Sequence, residues 1–216
     1  FLSYITQILM SLMMILMVFV MLVLSSASAK RIIEVLDETP AINDDAADKS
    51  LVVKDGSVEF RDVSFSYADN PENLALSHID LAIRSGETIG VIGGSGSAKS
   101  TLVQLIPRLY EAFSGEVLVG GHNVKDYEIP ALRESIGMVL QKNVLFSGTI
   151  KENLRWGNPN ATDEELVAAC VAAQADGFIR SFPGGYDTVL GQGGVNVSGG
   201  QKQRLCIARA LVKNPK

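Results

Sequence analysis

The sequence carries no charged residue between Phe1 and Ala29, and all 24 acidic and 19 basic residues lie after that point. Lys, Arg, Asp and Glu are mostly exposed to water in folded proteins, so a stretch without any of them indicates that the two parts of the chain meet different solvents. The chain also lacks a basic excess, since its formal net charge is −5. Proteins that bind nucleic-acid backbones usually present a basic face, so this charge argues against nucleic acid as a partner.

Cysteine is scarce as well. Only Cys170 and Cys206 are present, and neither belongs to a CxxC motif or to a cysteine–histidine spacing typical of zinc sites. Both lie in apolar helical patterns. We therefore expect two small buried thiols rather than a disulfide or a metal centre.

The long apolar run Ile8–Leu24 has 17 residues and is interrupted only by Ser11. A helix needs about 20 mostly apolar residues to cross the hydrocarbon core of a bilayer. Ile5 and the small residues Ser25–Ala29 supply the remainder. The run therefore predicts a membrane-spanning helix.

Lys30 and Arg31 follow this run directly, which by the positive-inside rule places its C-terminal end in the cytoplasm. A signal peptide is an alternative, because the residues Ala27-Ser28-Ala29 match a cleavage site, but no basic segment precedes the run. A buried core helix is a second alternative, although 17 residues without a polar face is long for one. We expect the spanning helix and its cytoplasmic extension over residues 1–37, ended before Pro40, and a polar linker over 38–57.

The residues Thr88–Ile92 (TIGVI) form a short apolar run with no polar face, which predicts a strand covered on both sides. A glycine-rich turn follows at once over Gly93–Thr101 (GGSGSAKST), with a helix predicted to open at Lys99. A buried strand that runs into such a turn and then a helix is the context expected of a phosphate-binding loop.

Each residue type in this loop suits a triphosphate. Small residues let backbone N–H groups curl around the phosphates, while Lys99 supplies a cation and Ser100 a hydroxyl for Mg²⁺. The usual motif is GxxxxGK[ST], and Ala98 stands at its second glycine. If that position needs a positive φ, alanine carries a strain of about 1 kcal/mol or more. The predicted ATP-binding residues are Gly93, Gly94, Ser95, Gly96, Ser97, Ala98, Lys99, Ser100 and Thr101.

Two single residues complement the loop. Tyr67 ends the alternating run Val58–Tyr67, which predicts a strand, and its ring is a candidate for stacking on adenine, although a lone aromatic there is more often a core or edge residue. Gln141 ends the apolar run Gly137–Leu140, another predicted strand. Its amide oxygen is a candidate Mg²⁺ ligand, although a glutamine at a strand end is usually a loop residue.

Further elements follow from local patterns. Leu76–Ile83 predicts a strand. Thr162 and Glu165 form a capping-box sequence, so a helix should begin there, and Gly177 is a candidate for its end.

A second anion-binding device lies about a hundred residues after the first. The residues Val197-Ser198-Gly199-Gly200-Gln201 precede a predicted helix over Lys202–Lys213. A serine and two glycines at a helix N-terminus offer a hydroxyl, unhindered N–H groups and a positive dipole end. Two such devices are unsuited to one nucleotide, so the simpler interpretation is that each faces a different ATP and that a partner domain is required.

Together these segments resemble the ATP-binding cassette (ABC) transporter family. VSGGQ followed by KQRLCIARAL is similar to the family's LSGGQ signature and its helix, and GGSGSAKST is similar to its Walker A loop. Tyr67 matches the adenine-stacking A-loop residue and Gln141 the Q-loop glutamine. The resemblance covers Val58–Lys216, and the upstream helix resembles the last spanning helix of an exporter-type half-transporter.

The resemblance implies an α/β fold, with one transmembrane helix joined to a P-loop NTPase-type nucleotide-binding domain over 58–216 that includes a helical subdomain. It implies ATP and Mg²⁺ as cofactors, with Ser100 and Gln141 as metal ligands, and ATP hydrolysis coupled to export. The cassettes pair head to tail in a membrane-bound dimer with the cytoplasmic domains together. Ser198, Gly199, Gly200 and Gln201 then act on the partner's ATP, and Phe146–Asn153 lies where coupling helices are received.

The sequence departs from the family pattern in the segment before the signature. Family exporters commonly have TxVGERG, whereas Thr188–Gly194 reads TVLGQGG and lacks the Glu and Arg. This favours one half of a heterodimer over a homodimer. The Walker B strand, its catalytic Glu and the switch His are expected beyond Lys216, so the chain is expected to be a C-terminal fragment of a multi-pass protein, inactive alone.

Two other functions stay open. A regulatory cassette that holds ATP while its partner hydrolyses it is consistent with Ala98 and with the altered segment. A soluble cassette of the DNA-repair or translation type is disfavoured by the spanning helix. If an apolar strand ending in Asp and then Glu follows Lys216, the subunit's own site is competent; the transported substrate is not encoded in these residues.

Overall fold

The computed structural model describes residues 1–68 and 70–216, so Asp69, which neighbours Tyr67, lies outside the described residues. The described chain forms two compact units, Phe1–Ile42 and Asn43–Lys216. The first consists mainly of one helix. The second combines helices and strands around two separate apolar clusters.

Helix α1 (Leu2–Leu36) is 35 residues long, about 50 Å, and none of its residues is buried. Its most apolar 18-residue stretch has a mean hydropathy of 2.8, so the helix is long and apolar enough to span a membrane. It continues through the predicted extension Lys30–Leu36 and ends at Leu36, before Pro40 as expected.

The second unit contains an antiparallel sheet in the order β2-β1-β3-β4, made of β1 (Val58–Phe65), β2 (Leu76–Ile83), β3 (Ser114–Val119) and β4 (His122–Asn123). Strand β2 has the predicted bounds, whereas β1 ends two residues before Tyr67. Helices α2 (Lys99–Leu105) and α3 (Ile129–Glu134) contribute buried side chains to the same apolar cluster as the sheet. The largest fully buried residues of this cluster are Phe60, Leu105, Tyr127 and Leu132.

The two predicted apolar strands, Thr88–Ile92 and Gly137–Leu140, do not form. Neither segment belongs to a β-ladder in the part of the chain that the structure describes. The predictions were wrong because apolar character favours a strand only when a neighbouring strand supplies the hydrogen bonds. Their side chains are accordingly open to solvent, with Ile92 98% exposed.

The second apolar cluster lies among four helices and a short ladder. Its elements are β5 (Gly148–Thr149), α4 (Ile150–Arg155), α5 (Asp163–Ala172), α6 (Asp176–Ser181), β6 (Val189–Leu190) and α7 (Gly199–Val212), with two short 3₁₀ turns over Gly185–Asp187 and Gln192–Gly194. Both cysteines are free thiols buried in this cluster. Desolvation raises the pKa of the Cys170 thiol to about 11, so it is protonated at neutral pH.

Helix α5 begins where the sequence predicts but ends earlier than predicted. Thr162 accepts a hydrogen bond from the Glu165 N–H, and the Glu165 carboxylate accepts one from the Thr162 N–H, which confirms the capping box. The helix ends at Ala172, and Gln174 adopts a left-handed backbone with φ of 56°. Gly177, predicted to end the helix, lies inside α6 instead.

Candidate functional site

The phosphate-loop segment closes into α2 at Lys99, where the sequence placed the start of the helix. Gly96 adopts φ of 82°, a conformation that glycine takes without a steric cost. Ala98 adopts φ of 56° and ψ of 20°, so the position does need the left-handed backbone. Alanine in this conformation is strained by about 1–2 kcal/mol, as expected for a position that needs a positive φ.

The Lys99 ammonium is folded over the loop. It donates to the carbonyl oxygens of Gly93 and Gly94 at 2.8 and 2.6 Å and to the Ser97 hydroxyl at 3.1 Å. A Cβ atom on Gly93 would lie 2.5 Å from the Ser97 Oγ, so a larger residue there would require the Ser97 side chain to move. The loop therefore holds a cation at its centre, where phosphate oxygens need one.

The two candidate metal ligands line one cavity of about 320 Å³, together with Lys99. Ser100 comes from the first turn of α2, and Gln141 follows the unpaired segment Gly137–Leu140. A hydroxyl and an amide oxygen are the hard donors that Mg²⁺ accepts, and this ion keeps several waters of its own. The residues present thus fit a magnesium ion shared with a bound phosphate.

Tyr67 lies beyond the end of β1, and 61% of its surface is exposed. Its hydroxyl is 2.7 Å from the Thr101 hydroxyl, and Thr101 is only 4% exposed. Sequence reasoning assigned Thr101 to the phosphates and missed this contact. No sequence signal announces it, because 34 residues separate the two.

The signature segment opens α7. The Ser198 hydroxyl accepts from the Gln201 N–H at 3.3 Å, and the Gln201 side chain accepts from the Ser198 N–H at 2.9 Å. A Cβ atom built on Gly199 or Gly200 would meet nothing within 4 Å. In the described structure, therefore, no neighbouring atom of the chain requires glycine at either position. None of the four residues Ser198, Gly199, Gly200 and Gln201 lines the cavity of Lys99.

Helix α7 is also tied to the segment after Gln141, which the sequence did not reveal. The Arg209 guanidinium donates to the Val144 carbonyl oxygen at 3.1 Å. The Lys213 ammonium donates to the carbonyl oxygens of Arg133 and Ile136, at the C-terminal end of α3. The helix of the signature therefore contacts both segments that flank Gly137–Leu140.

Phe146, the first residue of the segment Phe146–Asn153, lines an open hollow of about 420 Å³ together with Trp156. The rings of Phe146 and Trp156 stack with centroids 4.9 Å apart, and both rings stay exposed. Asn153 is buried and fixes this segment, since its amide bonds both the N–H and the carbonyl of Phe146. The exposed aromatic pair is thus held in place by a buried amide.

Known proteins resemble this chain in sequence and in fold. The ABC transporter family model matches residues 76–216. A protein of Staphylococcus aureus (strain NCTC 8325 / PS 47), assigned by its name to multidrug export as an ATP-binding/permease protein, is 47% identical over 85% of this chain and 32% of its own length. A similarly named protein of the bovine strain RF122 / ET3-1 is 46% identical over the same shares.

The chain thus spans about a third of the length of the curated relatives it matches. Among solved structures, one titled as a bacterial Atm1-family ABC exporter with ATP bound superimposes with a TM-score of 0.80 and 35% identity. The match covers 87% of this chain and 32% of that one.

Proposed function

Because the chain belongs to the ABC transporter family, we propose that it supplies a membrane-spanning helix and the ATP-binding cassette of an exporter half-transporter. The relatives named for multidrug export and the Atm1-family exporter structure support export as the activity. The apolar helix α1 supports a membrane location, with Lys30 and Arg31 on the cytoplasmic side. The domain boundaries of this proposal are 1–37, 38–57 and 58–216.

The observation that carries the proposal is the single cavity shared by Lys99, Ser100 and Gln141. Lys99 would neutralise the β- and γ-phosphate oxygens of ATP, and the N-terminal end of α2 would face the same charge. Ser100 and Gln141 would hold Mg²⁺, which when bound stabilises the charge that develops on the transferred phosphate. Tyr67 would stack on the adenine with its exposed ring.

The signature segment supports a dimer. Glycine in the first turn of a helix costs about 1 kcal/mol relative to alanine, and Gly199 and Gly200 have no steric reason for it within their own chain. Open glycines beside the Ser198 hydroxyl and the positive end of α7 would let the phosphates of a second nucleotide approach closely. We therefore propose that Ser198, Gly199, Gly200 and Gln201 act on an ATP held by a partner half-transporter.

The aromatic hollow supports a route for coupling. Phe146 and Trp156 would receive cytoplasmic loops of the membrane domain, and ATP-driven closure of the dimer would move those loops. Arg209 links this region to the signature helix through Val144. Substrate movement and the state of the ATP site would then be connected through α7.

A second candidate function is a regulatory cassette that binds ATP while its partner hydrolyses it. Two observations favour it: the left-handed Ala98 in the phosphate loop, and the segment Thr188–Gly194, where the usual Glu and Arg are replaced by Gln192 and Gly193. The same segment favours a heterodimer over a homodimer. The two candidates share every binding role and differ only in whether this subunit hydrolyses its ATP.

The test is Lys99→Ala in the assembled half-transporter dimer, reconstituted in proteoliposomes. ATP hydrolysis should fall at least tenfold, because the cation on the β- and γ-oxygens is lost. Lys54→Ala is the matched control, since Lys54 is exposed and does not line the cavity of Lys99. Unchanged ATP binding in Lys99→Ala would overturn the assignment of the loop. Lost binding with unchanged hydrolysis would favour the regulatory cassette.

A further inference from the structure

The ring of Tyr67 is held from several sides. Its hydroxyl hydrogen-bonds the Thr101 hydroxyl at 2.7 Å. Its plane is nearly perpendicular to the rings of Phe65 and Tyr110, with centroid distances of 4.8 and 5.3 Å. Such edge-to-face contacts are favourable arrangements of aromatic pairs. The side chain is thus fixed although more than half of its surface is exposed.

We propose that Thr101 and Tyr110 are positioning residues that hold Tyr67 as a fixed platform for the base of a purine nucleotide. The proposal rests on the proposed ATP site and adds to it the residues that orient the base. Thr101 reaches the base side of the site through its side chain, while its backbone belongs to the first turn of α2.

The bond between Tyr67 and Thr101 connects the two ends of a nucleotide site. Thr101 lies two residues after Lys99 in α2, so the ring that would meet the base is anchored on the helix that opens the phosphate loop. The separation between platform and loop is therefore fixed before a ligand arrives. A platform that is already ordered raises affinity, because binding does not have to immobilise a rotamer-rich side chain.

An ion pair between Arg108 and Glu111 closes the turn after α2 in which Tyr110 lies. The Arg108 guanidinium donates to the Glu111 carboxylate at 2.6 Å, and the Arg108 side chain is only 7% exposed. Lys125 contacts the same carboxylate at 3.1 Å. Tyr110 lies between the two members of this pair in the chain. The support of the platform is therefore built into the fold rather than into a mobile surface loop.

The experiment measures equilibrium binding of ATP and of inorganic tripolyphosphate to the intact half-transporter, with EDTA present to prevent hydrolysis. Tyr67→Phe keeps the ring and Thr101→Val keeps the shape, and each removes one hydroxyl of the bond. Each should lower ATP affinity about three- to tenfold, the effect of one hydrogen bond. The double variant should bind ATP as the single variants do. Affinity for tripolyphosphate, which has no base, should not change.

Two conservative variants complete the test. Thr101→Ser retains a hydroxyl and should restore ATP affinity. Tyr110→Phe retains the ring and should bind as the wild type, whereas Tyr110→Leu should weaken ATP and leave tripolyphosphate unaffected. Equal losses for both ligands in Thr101→Val would overturn the proposal, since the hydroxyl would then act on phosphate. Additive losses in the double variant would overturn it as well.

Binding results that contradict the proposed ATP site differ from those that contradict only the platform. In that case the wild type would not bind ATP saturably, or Lys99→Ala would bind it equally well, and both proposals would fall together. If Lys99→Ala loses binding while the Tyr67 and Thr101 variants bind ATP as the wild type does, only the platform proposal is overturned.

Discussion

A single methyl group distinguishes this phosphate loop from the usual motif, and its cost is set by the backbone. Ala98 stays left-handed at φ of 56° because the turn into α2 requires that conformation, whichever residue occupies it. For a residue with a Cβ atom this conformation costs about 1–2 kcal/mol, whereas glycine adopts it freely. Alanine retains the backbone N–H that would face phosphate. The substitution therefore lowers the stability of the fold and does not remove a phosphate-binding group.

Ala98→Gly should therefore stabilise the folded domain by about 0.5–1 kcal/mol, since relief of strain exceeds the extra chain entropy of glycine in the unfolded state. Urea titration followed by the fluorescence of Trp156 measures the change. The control is Ala168→Gly, the same substitution at an exposed position inside α5, which should destabilise by about 1 kcal/mol. Destabilisation by both substitutions would contradict the strain at Ala98.

Residues whose roles depend on neighbours in the chain were predictable, and residues paired across the fold were not. The motif alone located Lys99 and Ser100, because a loop and the helix that follows it are local. The bond between Tyr67 and Thr101 needs β1 and α2 to be packed first. The same holds for Arg209, which reaches the Val144 carbonyl across 65 residues.

The elements follow the same division. The start of α5 was predictable, because the cap of Thr162 with Glu165 is a contact three residues long. The start of α7 was predicted wrongly, since the helix begins at Gly199 rather than at Lys202. The segments Thr88–Ile92 and Gly137–Leu140 were predicted as strands from apolar character, but a strand also needs a hydrogen-bonded neighbour, and the described chain gives them none. The turn at Gln174 was not predicted, because the sequence rarely shows which residue other than glycine adopts a left-handed backbone.

The close packing of α4 against α7 leaves no room for a side chain at Gly157. A Cβ atom on Gly157, just after α4, would lie 2.2 Å from the Arg209 carbonyl oxygen of α7. Backbone cannot yield as a flexible side chain does, so α7 would have to move. Since Arg209 also holds Val144, such a shift would reach the segment that follows Gln141.

Gly157→Ala should therefore destabilise the domain by about 1–3 kcal/mol, the usual cost of overpacking. Thermal unfolding followed by circular dichroism measures it. Gly177→Ala is the matched control, because Gly177 lies inside α6 and its added methyl group would meet nothing within 4 Å. That control should be neutral or stabilise by up to about 1 kcal/mol. Equal effects of the two substitutions would show that α4 and α7 can separate freely.

The whole molecule consists of an uncharged N-terminal part and a remainder that contains all the charged residues. The part of α1 over Ile8–Leu24 has no polar face, and no residue of α1 is buried, whereas every charged residue lies after Ala29. In water, 17 apolar residues without a polar face would be costly to expose. Composition alone predicted this division, because the match between a helix and a bilayer depends on length and hydropathy rather than on tertiary contacts.

The membrane role of α1 can be tested with charge placed inside and outside the apolar run. One arginine at the centre of a spanning helix costs about 3 kcal/mol, while apolar residues contribute about 0.3–0.6 kcal/mol each, so the whole run outweighs a single charge. Three arginines at Met13, Leu16 and Val20, on one helix face, should cancel most of it. The same three charges at Ile32, Ile33 and Val35 lie beyond the run and form the control.

When residues 1–216 are expressed alone and extracted with alkaline carbonate, the wild type and the control should remain in the membrane pellet, and the variant with arginines at Met13, Leu16 and Val20 should be released. Retention of that variant would show that the apolar run does not anchor the chain. Loss of the first 29 residues in the recovered wild type would instead indicate cleavage after Ala29, as for a signal peptide. An intact, extraction-resistant wild type whose resistance depends on charge within Ile8–Leu24 is the result that a spanning helix requires, because only the bilayer penalises a charge by its depth.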